Sequence, residues 1–308
     1  MPTEPEPSDR PRSRRIAATL LLRDVPFWNR SRGRRLARLV VFAIYLYLAA
    51  LLPLLAMEDR FLFSGAMMAR SWSEPPDSWR VRDLAFESDA GDRIHAWLFA
   101  PKDWRPDQGA ILFSHHKSGD LSDMGSRAIR WRDAMGRAVL LYDYPGYGKS
   151  TGRPSESGCY AAGEAALQWL VADQGVPTGK VILVGESLGG AIAVELATRH
   201  AIRLLVLNGT FTSFPDMAQF RFPYYPARYL VRNQMNSEAK IGLAKGPVLI
   251  THGTVDRVIP FHQGERLFAA AREPKRFMRM EGHGHGAPND EEFFDAVRRF
   301  LSQTARGK

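Results

Sequence analysis

The stretch VILVGESLGGAIAVELA, residues 181–197, sets a Gly-x-Ser-x-Gly pattern between a β-rich run and a helix-like run. In this context the pattern is typical of a nucleophile elbow, a sharp strand-to-helix turn that exposes a serine hydroxyl. A serine hydroxyl is a weak nucleophile by itself, so it needs a base beside it and N–H groups aimed at the developing oxyanion. Ser187 is therefore the candidate nucleophile. Gly185 and Gly189 are expected where a Cβ would collide with neighbouring backbone.

Outward from this elbow, strand-like and helix-like segments alternate along the chain. Residues 81–86 and 93–100 are expected to form an antiparallel pair of strands. Short apolar runs predict further strands at residues 110–114, 138–142, 204–207, 247–251 and 276–280, and helical patterns occur at residues 161–172, 263–271 and 291–301. Alternation of this kind predicts an α/β fold with a mostly parallel central sheet and helices on both faces.

Three of the predicted strands lead into residues suited to nucleophilic catalysis. The strand at 181–184 leads to Ser187, the strand at 247–251 leads to Asp256, and the strand at 276–280 leads to His283 and His285. Parallel sheets meet their ligands at the carboxyl ends of strands. A histidine would take the serine proton, and Asp256 would orient that histidine and stabilise its charged form. His285 is preferred as the base because it follows small residues, and His283 remains the competing choice, or else a pocket residue.

An oxyanion hole needs two N–H donors, and the sequence offers candidates for both. The first is the amide of Leu188, directly after the nucleophile. The second is expected from the main chain of Lys117 or His116, in the loop after the strand at 110–114. His115 beside His116 could suggest a metal, but no third ligand has a helpful spacing, so neither a metal nor a cofactor is expected. His115 and Tyr144 are further candidate pocket residues.

The amino-terminal region predicts a membrane anchor. Residues 39–57, LVVFAIYLYLAALLPLLAM, carry no charge, and as a helix these 19 residues would span about 28 Å, close to the hydrocarbon core of a bilayer. A buried core helix and a cleaved signal peptide are the alternatives, but the run lacks a polar stripe and exceeds the usual signal length. An uncleaved signal anchor is therefore expected, with the lipid bilayer as its partner.

Positive charge is concentrated before this apolar run. Residues 1–38 hold ten arginines against four acidic residues, which accounts for most of the net charge of +9. An arginine-rich flank favours the cytoplasmic side, so residues 1–38 are expected to form a cytoplasmic tail and the domain beyond residue 58 to be extracytoplasmic, at the cell membrane. No nucleic-acid module accompanies the arginines, so no nucleic-acid partner is expected.

The remainder divides into a connector at residues 58–79 and a catalytic domain at residues 80–308. Residues 212–241, rich in Phe, Tyr, Met, Pro and Arg, interrupt the strand–helix alternation. They are expected either to cap the site or to form a long loop packed by its own aromatic rings. Cys159 is the single cysteine, so no disulfide can form within the chain.

Two further motifs carry a resemblance to a known family. YDYPGYGKSTG at residues 142–152, followed by Pro154-Ser155-Glu156, and HGTVDRVIP at residues 252–260 resemble motifs of the α/β-hydrolases. The similarity is greatest to their serine aminopeptidase-like branch, which includes monoacylglycerol lipases and protein depalmitoylases. The chain departs from that pattern at Pro145, where arginine is usual, and at His116, where glycine is usual.

This resemblance implies an α/β-hydrolase fold and hydrolysis of an ester, thioester or amide. The leading hypothesis is a membrane-anchored serine hydrolase that forms an acyl-enzyme from a small acyl or lipid-like substrate. The alternatives are a peptidase on the same scaffold and a catalytically silent, membrane-tethered binding protein.

Overall fold

The computed structural model describes residues 32–64, 72–286 and 290–305. Contacts divide the chain into two units, Met1–Ala56 and Met57–Lys308. Most of the arginine-rich tail expected at residues 1–38 lies outside the described residues. Of the first unit, the structure describes one helix, α1, at Arg32–Ala56.

Helix α1 is long and apolar enough to cross a membrane. The qualifying span is Arg35–Pro53, 19 residues with a mean hydropathy of 2.1, four residues earlier than the predicted 39–57. This criterion concerns length and composition alone, and a signal sequence near an amino terminus meets it as well.

The second unit is built on an eight-stranded sheet. The strands are β1 (Val81–Glu87), β2 (Arg93–Phe99), β3 (Ala110–Ser114), β4 (Ala138–Tyr142), β5 (Ile182–Glu186), β6 (Leu204–Asn208), β7 (Val248–Gly253) and β8 (Lys275–Met280). Their order across the sheet is β1-β2-β4-β3-β5-β6-β7-β8. Strand β2 runs antiparallel to both β1 and β4, and every other pairing is parallel. The predicted α/β class with a mostly parallel sheet is confirmed.

Helices cover both faces of this sheet. In chain order they are α2 (Glu58–Leu62), α3 (Leu121–Met135), α4 (Glu156–Gln168), α5 (Leu188–Arg199), α6 (Phe214–Arg221), α7 (Ser237–Ile241), α8 (Phe261–Ala270) and α9 (Glu291–Gln303). Leu112 of β3 packs with α4 and α5 on one face, whereas Ile111 and Phe113 pack with α3 and α9 on the other. This alternation follows from the two-residue period of a strand, and burial on both faces explains why these strands are apolar throughout.

Helix α3 was missed by the sequence analysis, although its ends carry ordinary signals. The Asp120 side chain accepts a hydrogen bond from the Ser122 N–H at the amino end, and Gly136 closes the other end in the left-handed conformation. These are a standard N-cap and C-cap. Its inward face, which includes Trp131, packs edge-on against Phe293 and Phe294 of α9.

The expected connector, residues 58–79, belongs to the second unit and packs on its core at three described points. Phe63 is fully buried in the core on the α4–α5 face of the sheet. Trp72 lies edge-on to Trp97 at a centroid distance of 5.4 Å, and Trp79 lies 6.3 Å from Phe99. Residues 65–71 of this connector lie outside the described residues.

Candidate active site

Ser187 occupies a strained turn between β5 and α5. Its backbone has φ 52° and ψ −113°, in the left-handed half of conformational space that costs a non-glycine residue about 1–3 kcal/mol. The Ser187 N–H donates to the Asn208 carbonyl at 3.0 Å, which fixes the turn to the end of β6. The residue is 7% exposed.

The two glycines of the elbow, Gly185 and Gly189, lie so close to neighbouring backbone that a side chain at either position would collide with it. A Cβ on Gly189 would lie 2.0 Å from the Ser114 carbonyl oxygen and 2.7 Å from that of His115. A Cβ on Gly185 would lie 2.5 Å from the Gly189 carbonyl oxygen. The start of α5 therefore packs directly against the end of β3, which brings the elbow beside the loop that follows β3.

Asp256 and His285 meet at the carboxyl ends of β7 and β8. His285 Nδ1 lies 2.8 Å from Asp256 Oδ2. The other oxygen, Oδ1, accepts the N–H groups of Val258 at 2.8 Å and Ile259 at 2.9 Å. These bonds hold the Asp256 carboxylate toward the imidazole. Because Nδ1 faces Asp256, Nε2 is the ring nitrogen of His285 that could contact a nucleophile.

Gly209 links this pair to the elbow. It follows Asn208, the residue that accepts the Ser187 N–H. A Cβ built on Gly209 would lie 3.6 Å from His285 Nδ1 and 3.7 Å from Asp256 Oδ2. The serine, histidine and aspartate that are far apart in sequence are thus gathered around the end of β6.

His283, the competing histidine, lies elsewhere in the same loop. Its side chain is exposed, and Nδ1 lies 3.0 Å from the Glu281 carbonyl oxygen. Its own carbonyl accepts the Val255 N–H at 3.1 Å, so it connects the β8 loop to the β7 loop through the backbone. Of the two histidines, His285 is the one in contact with Asp256.

Helix α5 begins at Leu188, beside the loop that holds His116 and Lys117. First-turn amides have no acceptor within their own helix, so the Leu188 N–H points outward from the helix start. The Lys117 ammonium donates to the Phe61 carbonyl at 3.0 Å, so its side chain is directed toward α2. Burial, with His115, Arg127 and His285 nearby, lowers the pKa of His116 to about 4, so its ring is neutral at pH 7.

Comparison with known proteins agrees with this architecture. The model of the Alpha/beta hydrolase family matches residues 111–240, which include the elbow. The uncharacterized protein Rv2307c of Mycobacterium tuberculosis is 37% identical over 227 residues, covering 73% of this chain and 80% of the relative. The uncharacterized protein YfhR of Escherichia coli K12 is 30% identical over 216 residues, covering 68% and 75%. The chain belongs to the alpha/beta hydrolase family.

Solved structures share the fold of this alpha/beta hydrolase at low identity. The Pyrococcus furiosus esterase PF2001 matches with a TM-score of 0.64 at 15% identity, over 77% of this chain and 96% of that one. An alpha-beta hydrolase from Vibrio vulnificus matches with a TM-score of 0.64 at 20% identity, over 83% and 94%. The expected α/β-hydrolase fold is confirmed by these matches, which at such identities concern the fold alone.

In this alpha/beta hydrolase, the motif at residues 142–152 supports the loop after β3. The Tyr144 hydroxyl donates to the His115 carbonyl at 2.6 Å, and the Tyr147 hydroxyl donates to the Lys117 carbonyl at 3.2 Å. The His115 ring stacks on Tyr144 at 4.4 Å, and its Nε2 lies 3.3 Å from Asp143 Oδ1. His115 and Tyr144, named from the sequence as candidate pocket residues, are both fully buried and form the base of this loop.

Two side chains that contact the site were not singled out by the sequence analysis. His252 is buried; its Nε2 lies 2.9 Å from the Ile259 carbonyl oxygen and 3.4 Å from Asp256 Oδ2. Glu186, the residue before the nucleophile, accepts a short hydrogen bond from Arg127 of α3. Both lie within motifs quoted from the sequence, but a motif does not reveal which way such side chains face.

Within the described range 72–286, the adjacent histidines His115 and His116 lie in a setting without a metal-binding cluster. Among the residues that the structure describes, no group of three or more His, Cys, Asp or Glu side chains is arranged to hold a metal ion. The pair His115 and His116 diverges: His115 turns to Asp143, whereas His116 Nδ1 accepts the Ser118 N–H at 3.2 Å.

Proposed function

We propose that this alpha/beta hydrolase is a single-pass, membrane-anchored serine hydrolase that cleaves a carboxylic ester or thioester. Ser187 is the nucleophile, His285 the base, and Asp256 the residue that orients the base. The observation that carries the proposal is the 2.8 Å contact between His285 Nδ1 and Asp256 Oδ2, beside the strained turn at Ser187.

The proposed reaction has two halves. Ser187 Oγ attacks the carbonyl carbon while His285 Nε2 takes its proton, and the tetrahedral intermediate collapses when His285 returns that proton to the leaving alcohol or thiol. The product is an acyl-enzyme on Ser187. Water, deprotonated by His285, then attacks the acyl carbon, and the proton returns to Ser187 as the carboxylic acid leaves.

The electrostatics of Asp256 suit this role. Burial by itself raises the pKa of a carboxyl group, but hydrogen bonds with His252, His285 and the Ile259 N–H hold the pKa of Asp256 well below its ordinary value. The carboxylate is therefore ionised at neutral pH. An ionised partner on Nδ1 fixes the tautomer with a free Nε2 and stabilises the imidazolium that forms.

The oxyanion would be bound by the N–H of Leu188 and a second main-chain N–H from His116 or Lys117. The close approach of Gly189 to Ser114 and His115 supports this pairing, because it brings the start of α5 against the β3 loop. Loss of one such donor typically costs about a hundredfold or more in kcat.

Aromatic side chains that follow Gly209 pack into the hydrophobic core beside the site. Phe211 stacks on Phe214 at 4.8 Å, and Phe214 meets Phe63 edge-on at 5.9 Å. The Pyrococcus furiosus neighbour is an esterase, which supports an ester over a peptide as the substrate. His283, exposed in the same loop as His285, is retained as a candidate pocket residue.

The composition of α1 supports the membrane anchor. Residues 39–57 would form an uncleaved signal anchor, residues 1–38 a cytoplasmic tail, residues 58–79 a connector and residues 80–308 the hydrolase domain. The arginines before the apolar run favour an amino terminus on the cytoplasmic side and a hydrolase domain outside the cytoplasm, at the cell membrane. Residues 212–241 are proposed to cap the site.

Labelling with a fluorophosphonate probe tests the chemistry directly. The full chain in detergent or nanodiscs should be labelled, Ser187→Ala should abolish labelling, and the exposed Ser302→Ala should leave it intact. A panel of acyl esters, acyl thioesters and aminoacyl arylamides then separates an esterase or thioesterase from a peptidase. A folded wild-type chain that neither takes the probe nor cleaves any member of the panel would refute the proposal and favour a binding protein.

A further inference from the structure

Residues 212–241, together with α2, present large aromatic side chains to solvent. Tyr224 is 89% exposed and Tyr229 81%, while Phe220 and Phe61 are each about half exposed. Phe61 reaches this group through Phe222, whose ring it meets edge-on at 6.4 Å. We call these four exposed side chains, Phe61, Phe220, Tyr224 and Tyr229, the aromatic face. Tyrosine, which carries a polar hydroxyl on an apolar ring, favours the membrane–water interface, and the exposed phenylalanine rings add apolar area beside it.

Helix α2 is fastened to the segment that carries this face. The buried carboxylate of Glu58 accepts hydrogen bonds from the backbone N–H of Arg232 at 3.0 Å and of Asn233 at 2.9 Å. It also accepts bonds from Arg232 Nε at 3.1 Å and Asn233 Nδ2 at 2.9 Å. Phe63, just beyond α2, packs on Phe214 of α6. The two parts of the aromatic face are therefore held together rather than joined by a loose linker.

The number of residues between the apolar span and α2 limits how far the aromatic face can lie from a bilayer. The apolar span ends at Pro53 and α2 begins at Glu58. Five residues reach at most about 18 Å when fully extended. If the span crosses a membrane, Glu58 lies within that distance of the hydrocarbon boundary, which is about the depth of the headgroup region and the water next to it.

The charge around the aromatic face complements anionic headgroups. Arg60, Arg221, Arg228 and Arg232 are exposed on the same segments. Arg228 contacts Asp216 at 3.1 Å, and Arg232 contacts Glu58, so acidic partners offset part of this charge. Arg60 and Arg221 add positive charge that suits a negatively charged lipid surface.

We propose that the aromatic face rests in the headgroup region of the bilayer that anchors the chain, so that an amphiphilic ester reaches the site from the leaflet. This inference rests on the proposed membrane anchor. It assigns the substrate class as membrane-resident acyl esters or thioesters, because the face belongs to the segments that contact the site. Lys117 of the β3 loop donates to the Phe61 carbonyl, and Thr212 donates its N–H to Gln263 of α8 at 3.0 Å.

Depth-dependent fluorescence quenching tests the contact without reference to catalysis. Cys159 is the single cysteine and is fully buried, so a bimane label can be directed to Tyr229→Cys in the full chain. Lys102→Cys is the matched control, because Lys102 is exposed in the loop at the amino end of β3, whereas residues 212–241 follow the carboxyl end of β6. In nanodiscs with brominated lipids, the label at residue 229 should lose about half of its fluorescence, whereas the control label should lose almost none. Equal, small quenching at both positions would overturn the proposal.

A comparison of substrates tests the consequence for function. Tyr224→Ser combined with Tyr229→Ser should reduce hydrolysis of a long-chain ester embedded in anionic vesicles by about tenfold. Hydrolysis of a short, water-soluble ester should change by less than about twofold, since neither tyrosine is part of the proposed catalytic group. Equal losses on both substrates, or on neither, would overturn the proposal. If no ester is cleaved at all, the proposed function fails, while the quenching experiment still decides the docking.

Discussion

Two buried carboxylates lie at the carboxyl edge of the sheet and behave in opposite ways. The side chains of Asp256 after β7 and Glu186 at the end of β5 are almost fully buried. The pKa of Asp256 is lowered, whereas burial raises the pKa of Glu186 and Arg127 only partly opposes that shift. Glu186 is paired with the positively charged Arg127, yet Asp256 is the carboxyl group that favours its ionised form more strongly.

Hydrogen-bond donors explain the difference. Asp256 meets the N–H groups of Val258 and Ile259 on one oxygen and two histidines on the other. Glu186 meets Arg127 through Oε2, and within the described part of the chain its buried Oε1 has no hydrogen-bond partner. A carboxylate with several donors keeps its charge in a dry site, whereas a single partner leaves part of the desolvation cost unmet. Asp256 is therefore suited to catalysis, and Glu186 to holding α3 against the elbow.

The largest expected effect is that of Asp256→Asn on activity. The amide cannot hold His285 in the tautomer with a free Nε2, so kcat/KM for an acyl ester should fall by about a thousandfold or more. Ester hydrolysis by the purified full chain measures this. Asp103→Asn, an exposed aspartate in the loop before β3, is the control and should match the wild type. A loss below about tenfold in a folded variant would contradict the assigned role.

Glu186→Ala should lower the stability of the fold more than it lowers hydrolytic activity. It removes the partner of Arg127, whose side chain is 24% exposed and so stays partly solvated. The free energy of unfolding should fall by about 1–3 kcal/mol. This loss is smaller than that for breaking a fully buried ion pair, because Arg127 stays partly solvated. Thermal unfolding in detergent measures it, with the exposed Glu87→Ala as control. An unchanged melting temperature combined with a thousandfold loss of activity would reverse the comparison.

His252 provides a sharper test of how Asp256 is held. His252→Phe removes the contacts to the Ile259 carbonyl and to Asp256, so kcat/KM should fall by about tenfold, with a loss of about 1–2 kcal/mol in stability. His252→Gln, which can offer an N–H near the position of Nε2, should recover part of the activity. If both variants lose stability while neither loses activity, His252 contributes to packing alone.

The smallest expected effect is a difference in pH dependence. The lowered pKa of Asp256 contributes stability above its unfolded value of about 3.9 and loses it as pH falls through the folded value. The raised pKa of Glu186 contributes stability below its unfolded value of about 4.3 and loses it as pH rises through the folded value.

Melting temperatures between pH 6 and about pH 2.5 measure this difference, since the Asp256 contribution is lost only below its unfolded pKa. On acidification, the penalty of Asp256→Asn should shrink and the penalty of Glu186→Gln should grow. Parallel curves for the two variants would show that both carboxylates share one environment.

The sequence alone determined the α/β class, the positions of the strands and the order of the candidate catalytic residues. These depend on local signals: continuous apolar runs for strands buried on both faces, and a glycine-flanked serine between a strand and a helix. Strands at 110–114 and 138–142 match β3 and β4 residue for residue. Helix α3 was missed because its polar surface residues and Gly125 obscure the helical period, even though Asp120 and Gly136 mark its ends.

Only the tertiary structure decided which distant side chains meet. His283 and His285 both follow β8 within a few residues, so position in the sequence does not distinguish them. The bend of the β8 loop brings His285 to Asp256 and turns His283 to solvent. The role of Tyr144 and Tyr147 beneath the β3 loop depends on the neighbouring strands β3 and β4, which no local pattern encodes. Backbone preference is a property of a few adjacent residues, whereas a catalytic contact is made between strand ends that the whole sheet brings together.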